Sequence, residues 1–432
     1  MPTADMPAAT SHRILHIPRR FVAEEWGGTE TVILEISRQQ QRAGFLPEIH
    51  TSMALASRRQ EVIGGIPVHR YPYCYPFLGL TDADRSALDK KGGNLLSLSL
   101  FNALRSAPDV RIFHAHALKR LGGEVRTAAR WQRKPFVVSL HGGVFDVPAA
   151  ELEGLVKPIK DKPEWGRLFG ALFGSRRVLD DADFVLCVGR SELDKARTQL
   201  PHDRIRHLPN GVDCQRFAHA DGNAFRARFG IPADAFLVLN ISRIDRQKNQ
   251  MLLLEGFARF LPRHPNSRLV CIGPETQPDY AEQLRSFIRI HGLESRVQLL
   301  PGFRNDDPSL IEAYHACNTF VLPSMHEPFG IVVLEAWSAG RPVVASRIGG
   351  LQSLIRQGET GLFLDPAATD PADDLAARME ELASRPDYAT ELAEKGRHEA
   401  RSRYDWPVIH AELESVYQLA EEHCARSRAH PR

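Results

Sequence analysis

The feature that most limits what this chain can fold into is a regular alternation of short apolar runs with longer stretches of helical period. Runs that read as strands lie at residues 13–17, 45–51, 110–114, 135–140, 183–188 and 204–208, with helical stretches at 29–43, 118–131, 164–181 and 191–200 between them. After Asn210-Gly211-Val212-Asp213 the pattern starts again. Strands are then predicted at 236–241, 267–272, 297–300, 319–322 and 342–346, and helices at 249–261, 280–291, 308–315 and 331–339. Strands alternating with helices build parallel sheets covered on both faces. The expected fold is therefore α/β: two tandem Rossmann-like doubly wound domains, residues 1–208 and 209–405, facing across a cleft. A helical tail follows at 371–383, 387–402 and 406–423, and the segment 406–432 is expected to cross back to the first domain. Asp370-Pro371 suits a helix start, with Asp as cap and Pro in the first turn. The Pro/Tyr-rich stretch 71–91 reads as an irregular loop.

Composition narrows the function classes. Across 432 residues, 55 Lys+Arg stand against 53 Asp+Glu, a net charge of +2 that argues against a protein built to bind nucleic acid. No run of about 18 apolar residues occurs, so no membrane-spanning helix is expected. Residues 1–12 lack the apolar centre of a secretory leader and read as a loose tail. Six scattered cysteines form no Cys-x-x-Cys pair, and Cys187, Cys271 and Cys317 sit in apolar runs, which points to a reducing, cytoplasmic setting. The one glycosylation triplet, Asn240-Ile241-Ser242, ends an apolar strand, where an acceptor would be buried.

Ligands of open parallel sheets bind at the carboxyl ends of the strands, so chemistry is sought there. The strongest pattern is Ser324-Met325-His326-Glu327-Pro328-Phe329-Gly330-Ile331, continuing to Glu335. A strand ends, a turn follows, and Gly330 opens a helix whose first amides lack intrahelical partners and can donate to an anion or to sugar hydroxyls. A carboxylate such as Glu327 or Glu335 can accept from a diol; on spacing alone a helix cap and a solvated face fit them as well. Arg243 and Lys248 stand between a predicted strand and helix, where a bidentate Arg and a point-charge Lys would clamp a diphosphate, although a solvated basic loop fits the same residues. Neither a Walker lysine loop nor G-x-G-x-x-G is present. Trp26-Gly27-Gly28-Thr29 lets a backbone approach a phosphate at a helix start, a weak signal by itself. His114 and His116 end one strand, and His141-Gly142-Gly143 ends another. His114 is expected in the core, whereas His116 or His141 could face a ligand; a zinc reading finds no third ligand at suitable spacing. Asp82/Asp84 and Asp181/Asp183 read as structural rather than metal-binding.

Taken together, SMHEPFGIVVLEAWSAGRPVVASRIGG, ISRIDRQKN, LPNGVDCQRF and WGGTE closely resemble the retaining nucleotide-sugar glycosyltransferases of family 4, from Arg13 to about His423. The ordered co-occurrence of the glycine turn, Asn-Gly-Val-Asp, Arg-x4-Lys and Glu-x7-Glu is far more specific than any one of them. The resemblance implies a GT-B fold of two Rossmann-like domains. It implies that Glu335 holds the nucleotide ribose and that Arg243 and Lys248 hold the diphosphate. Glu327 and the amides of Phe329, Gly330 and Ile331 would contact the donor sugar. Gly27 and Gly28 would close over the phosphate, and His141 would face the sugar. Gly302 and Phe303 match the segment bordering the base; His116 is the candidate on the acceptor side. Three positions depart from the family: Trp337-Ser338 replaces Met/Leu-Ala, Gln352-Ser353 replaces Pro-Glu, and Gly189 replaces a serine.

The expected activity is hexosyl transfer, with retention, from a UDP- or GDP-linked sugar to a glycan, lipid-linked or small-molecule acceptor in cell-surface polysaccharide or glycolipid synthesis. No metal or other cofactor is expected, and domain closure over the donor is. An epimerase or phosphorylase on the same fold, or a non-catalytic nucleotide-sugar-binding protein, are the alternatives. Lys119, Arg126, Arg130 and Arg133, with the aromatic-apolar stretch 164–178, suggest peripheral contact with the inner face of a membrane, against which stands a core stripe with solvated arginines.

Overall fold

The computed structural model describes residues 12–23, 26–142, 157–304 and 307–429; most of the expected N-terminal tail, and Gly143, lie outside them. The chain divides into two compact units, Met1–Leu208 with His410–Arg432, and Pro209–Ile409. Each is an open, doubly wound α/β sheet.

The first unit holds strands β1 (Arg13–Ile17), β2 (Leu46–Ser52), β3 (Gln60–Ile63), β4 (Ile66–Tyr71), β5 (Val110–Ala115), β6 (Phe136–Leu140), β7 (Phe184–Cys187) and β8 (Ile205–His207). Their order is β3-β4-β2-β1-β5-β6-β7-β8, parallel except for the β3–β4 hairpin. Strands covered on both faces are apolar on both, and Ile14, Leu15 and Ile17 of β1 are fully buried accordingly. One face packs on the helix Gly28–Arg42 through Ile33, Leu34, Ile49 and Val68. The other packs Leu15, Phe113 and Val138 with Leu100, Leu104 and Val125, from the helices Leu98–Ser106 and Lys119–Gln132. The strand order reverses between β1 and β5, so the crevice of this sheet opens beyond their carboxyl ends.

The second unit holds β9 (Phe236–Ile241), β10 (Ser267–Ile272), β11 (Val297–Leu300), β12 (Thr319–Leu322), β13 (Val343–Ser346) and β14 (Leu362–Leu364), all parallel. Their order, β11-β10-β9-β12-β13-β14, is the dinucleotide-fold order with its reversal between β9 and β12. The core gathers Val238, Leu253, Phe257, Leu269, Leu284, Val321 and Val344.

Local differences from the sequence reading have local causes. The stretch 71–91 is not irregular throughout: it contains the helix Asp82–Lys91, closed by a Thr81/Asp84 capping box and a left-handed Gly92. Strands β3, β4 and β14 and the helix Leu98–Ser106 went unpredicted, being short. The expected helix 164–181 is only Arg167–Leu172. Glu164 is held in a bridge to Phe77, and Gly174 turns the chain with φ +61°. The Asn240 side chain is fully buried and donates to the Val321 carbonyl, as suits a core strand and no glycan. No helix among the described residues is long and apolar enough to cross a membrane.

Candidate active site

In the second unit the two sides of the strand reversal supply two loops. The loop after β9 is built around Asp245, a buried carboxylate that accepts from the Lys248 amide at 3.0 Å and lies 3.2 Å from Arg243 Nη2. Gln250, at the start of the helix Gln250–Phe260, ties down the Arg243 carbonyl at 2.8 Å. The backbone of Arg243 is thereby fixed while its guanidinium stays 53% exposed. Lys248 behaves differently: its Nζ donates to Glu327 Oε2 at 2.6 Å, with the two side chains only 16% and 11% exposed. Arg243 is thus half exposed beside Asp245, while Lys248 is seated against the loop after β12.

That second loop is shaped by glycines. Gly330 caps the helix Ile331–Ser338 at φ +98°, with no side chain capping the helix start. A Cβ at Gly350 would lie 2.0 Å from the Pro328 carbonyl, and the Gly350 amide donates to the Glu327 carbonyl at 2.9 Å. Gly349-Gly350 thus presses the Glu327–Phe329 backbone towards the β9 loop, whatever follows them; Gln352 and Ser353, where the family has Pro-Glu, bond the local backbone at Arg347 and Gly350. Glu335 accepts from the Tyr314 hydroxyl at 2.6 Å. Burial pushes its carboxyl above the ordinary range, partly offset by that bond, and drives the Tyr314 phenol well up. Gly302 packs on Pro274 and Phe303 lies near the Phe229 ring, beyond β11.

In the first unit a cavity of about 280 Å³ opens at the strand reversal, lined among others by Arg19, Thr29, Asn94, His116, Lys119 and His141. His114 is fully buried, as expected of it. His116 and His141 are joined at 2.9 Å between Nδ1 and Nε2. Burial pulls His141 down to about 4 and His116 well below its ordinary value. Gly27 and Gly28 open the helix Gly28–Arg42, but the Gly27 amide is taken by Glu30 Oε2 at 3.2 Å. Gly189 caps the helix Arg190–Gln199 with no side-chain bond, the place where a serine hydroxyl would accept one from a first-turn amide.

The statement that the histidines lack a third ligand needs correction. His16, on β1, joins His114 and His116 in a group whose ligand atoms lie within 4.8 Å of one another; Glu48, His50 and His69 form a second such group. Neither pair of aspartates belongs to a group of this kind among the described residues. Asp181 binds Arg126, Arg130 and Arg177, and Asp183 binds His423. Sequence reasoning missed Asp245, Tyr314, Gln40 and Tyr417; the last three act through partners far away in the chain, whereas Asp245 acts within its own loop and left a signal inside Arg243-x4-Lys248.

Two doubly wound α/β units, one with Arg243 and Lys248 at its strand reversal, have the architecture of a GT-B glycosyltransferase. Residues 221–399 match the model described as "Glycosyl transferases group 1", and residues 26–216 match "Glycosyltransferase Family 4". The chain is 30% identical over 410 residues to D-inositol 3-phosphate glycosyltransferase 1 of Catenulispora acidiphila, covering 92% of this chain and 91% of the relative. It is 29% identical over 424 residues to a D-inositol 3-phosphate glycosyltransferase of Geodermatophilus obscurus, covering 93% and 87%. Among solved structures, Anabaena Alr3699/HepE in complex with UDP superposes with TM-score 0.70 at 20% identity, over 94% of this chain and 99% of that one. A glycosyltransferase from Rickettsia africae superposes with TM-score 0.71 at 17% identity, over 95% and 98%. The chain belongs to the family 4 glycosyltransferases of group 1 type, and it is a transferase.

Proposed function

We propose that this transferase moves a hexosyl unit from a UDP- or GDP-linked donor to an acceptor hydroxyl with retention, and without a metal ion. The observation that carries this reading is the pair of loops at the β9/β12 reversal, where Lys248, five residues after Arg243, pairs with Glu327 just ahead of the Gly330 that opens the helix Ile331–Ser338. Diphosphate binding needs positive charge aimed at the leaving oxygens. Fixed donors of this kind typically supply a factor of ~10²–10³ each in rate. The HepE structures in complex with UDP and with UDP-glucose lend support to a uridine nucleotide as donor.

In the proposed reaction the bond from the anomeric carbon to the diphosphate oxygen breaks, and the bond to the acceptor oxygen forms on the same face. The acceptor proton passes to the departing phosphate oxygen, so no carboxylate nucleophile is required. The carboxylates near the clamp are engaged in other ways: Glu327 with Lys248, Asp245 with Arg243 and the Lys248 amide, Glu335 with Tyr314. This arrangement favours cations of the chain over a divalent metal as the charge-neutralising element.

The acceptor is assigned to the first-unit cavity. Arg19 and Lys119 both line it, and each has its pKa lowered, first by burial and also by a neighbouring cation. An acceptor bearing a phosphate or another anionic group would relieve that repulsion, and several relatives carry an inositol phosphate in their names. The test is a panel of nucleotide sugars scored by ligand-induced melting shift, followed by product analysis with neutral and phosphorylated polyols in EDTA. Transfer with retained anomeric configuration in EDTA supports the reading. Epimerised donor, phosphorolysis, binding without product, or activity restored only by Mn²⁺ or Mg²⁺ would each overturn the part it addresses.

A further inference from the structure

Beside the first-unit cavity lies a buried set of hydrogen bonds whose direction can be followed atom by atom. It starts at Gln40, fully buried on the helix Gly28–Arg42. The Gln40 amide nitrogen donates to the Tyr417 hydroxyl at 3.2 Å, so its Oε1 faces His16 Nε2 at 2.8 Å. An amide oxygen only accepts, and His16 therefore carries its proton on Nε2. His16 Nδ1, left with a lone pair, meets His116 Nε2 at 2.9 Å and makes it the donor. His116 Nδ1 is then an acceptor, and it meets His141 Nε2 at 2.9 Å. His141 must donate from Nε2, which leaves a lone pair on Nδ1 of a ring that lines the cavity. A second arm obeys the same rule. The Tyr417 hydroxyl, having accepted from Gln40, gives its one proton to His114 Nδ1 at 2.7 Å, and His114 Nε2 donates to Ser139 Oγ at 2.7 Å. Ser139 lines the same cavity.

We propose that Gln40, His16 and His116 are positioning residues that hold His141 in the Nε2–H tautomer, so that it presents an acceptor nitrogen to a hydroxyl of the bound sugar or acceptor. Each ring carries one proton, and every donor meets an acceptor. An extra proton on His16 or His116 would place two donors face to face. Burial works in the same direction, drawing His16 to about 4 and His114 well below the ordinary value. The Gln40 amide sets the polarity of both arms: turned by 180°, it would reverse every bond and leave His141 with a proton on Nδ1. A donor at that position could bond a phosphate, carbonyl or hydroxyl oxygen but could not accept from a hydroxyl proton. The relay thus decides which ligand atom His141 can receive. Its role towards a ligand rests on the glycosyltransferase reading, whereas the tautomer itself does not.

The experiment is long-range ¹H–¹⁵N correlation on the full chain labelled at histidine, near pH 7.5, with a His141→Asn sample to assign the His141 signals. The expected spectrum shows His141 with a protonated Nε2 and a bare Nδ1. A proton on Nδ1, or an averaged pair of nitrogens, overturns the proposal. Gln40→Glu separates the two arms. A carboxylate still accepts from His16, so His141 should keep its tautomer; it cannot donate to Tyr417, so His114 should move its proton to Nδ1. An unchanged His114 overturns the assignment of Gln40 as the polarity setter. Gln40→Leu should mix the His141 tautomers and lower kcat/KM roughly tenfold, the loss of one positioned hydrogen bond. Should Gln40→Leu not fold, the wild type and Gln40→Glu still decide the matter. One equivalent of Zn²⁺ should leave the spectrum unaltered; tight binding that displaces the ring protons would make this a metal site and overturn the relay. If the tautomer is found but no nucleotide sugar is turned over, the relay stands and the proposed function falls.

Discussion

Single residues in the second unit do separable jobs. Arg243 is half exposed in its pair with Asp245, and Lys248 is paired with the largely buried Glu327. Arg243→Ala and Lys248→Ala should each lower turnover by about two to three orders of magnitude if they stabilise developing charge. Lys248→Ala should also lower the melting temperature, and by more than Arg243→Ala, because Glu327 loses a largely buried cation, whereas Asp245 loses a half-exposed one and keeps the Lys248 amide as a donor. Steady-state rates with melting curves on both variants check this; equal melting temperatures would contradict it. Gly350→Ala tests the loop without touching a charged group. Its Cβ would meet the Pro328 carbonyl at 2.0 Å, so the loop must shift at a cost of roughly 1–3 kcal/mol, and nucleotide affinity should fall with stability. Gly350 itself has φ −64°, which alanine adopts freely, so the effect comes from that contact and not from backbone strain.

Elements contribute by ending where they do. β1, β5 and β6 place His16, His114, His116 and His141 at the carboxyl edge of one sheet, where burial holds the rings neutral. A histidine neutral in the native state but titrating near 6.5 when unfolded contributes stability that is fully present above that value. It is lost as pH falls towards about 4. His16 alone corresponds to roughly 2 kcal/mol between pH 7.5 and pH 5, and the other rings act in the same direction. Thermal unfolding at those two pH values should show the fall, and a flat melting temperature would contradict it. The last helix, Trp406–Ala429, belongs to the first unit from His410 onward. Its Glu414 and Glu421 both bind Arg111, and its Tyr417 closes the histidine network. Removing residues 410–432 should therefore destabilise the first unit, although the segment adds no strand to the sheet.

At the scale of the whole molecule the open matter is where transfer takes place. Arg126, Arg130 and Arg177 share the single carboxylate of Asp181, so Arg126 is tied down in a largely buried pair while Arg130 stays 64% exposed. The apolar stripe, in turn, is not all core: Leu168 and Leu172 are 75% and 69% exposed, with Trp165, Leu78 and Leu98 also exposed and Arg167 reaching solvent. Apolar side chains here, rather than the arginines of the helix Lys119–Gln132, would carry any contact with lipid. We therefore expect sedimentation with anionic vesicles to fall more on Leu168→Ser/Leu172→Ser than on Arg130→Gln. Each basic side chain near the surface is worth about 1 kcal/mol, so a surviving interaction should weaken with salt. No sedimentation at low salt, with efficient transfer to a soluble acceptor, would remove the membrane from the account.

Periodicity alone determined the two α/β halves, since alternating apolar runs and helical stretches are properties of neighbouring residues. Residues 13–17, 236–241, 267–272, 297–300 and 319–322 are strands with the expected bounds. The Arg-x4-Lys and Glu-x7-Glu spacings were equally legible, because each motif lies within one strand–loop–helix crossing. Gly174, by contrast, cut short a helix that the apolar pattern of 164–181 seemed to require, since a left-handed turn leaves little trace in hydrophobicity. Only the tertiary structure decided that Lys248 meets Glu327, that Tyr314 holds Glu335, and that Gln40 and Tyr417 set the protons of four histidines. Those partners stand 79, 21, 24 and more than 300 residues apart, brought together by strand order and by the return of the last helix. A hydrogen bond needs its two atoms within about 3 Å, and spacing along the chain carries no such information once a parallel sheet has reordered its strands.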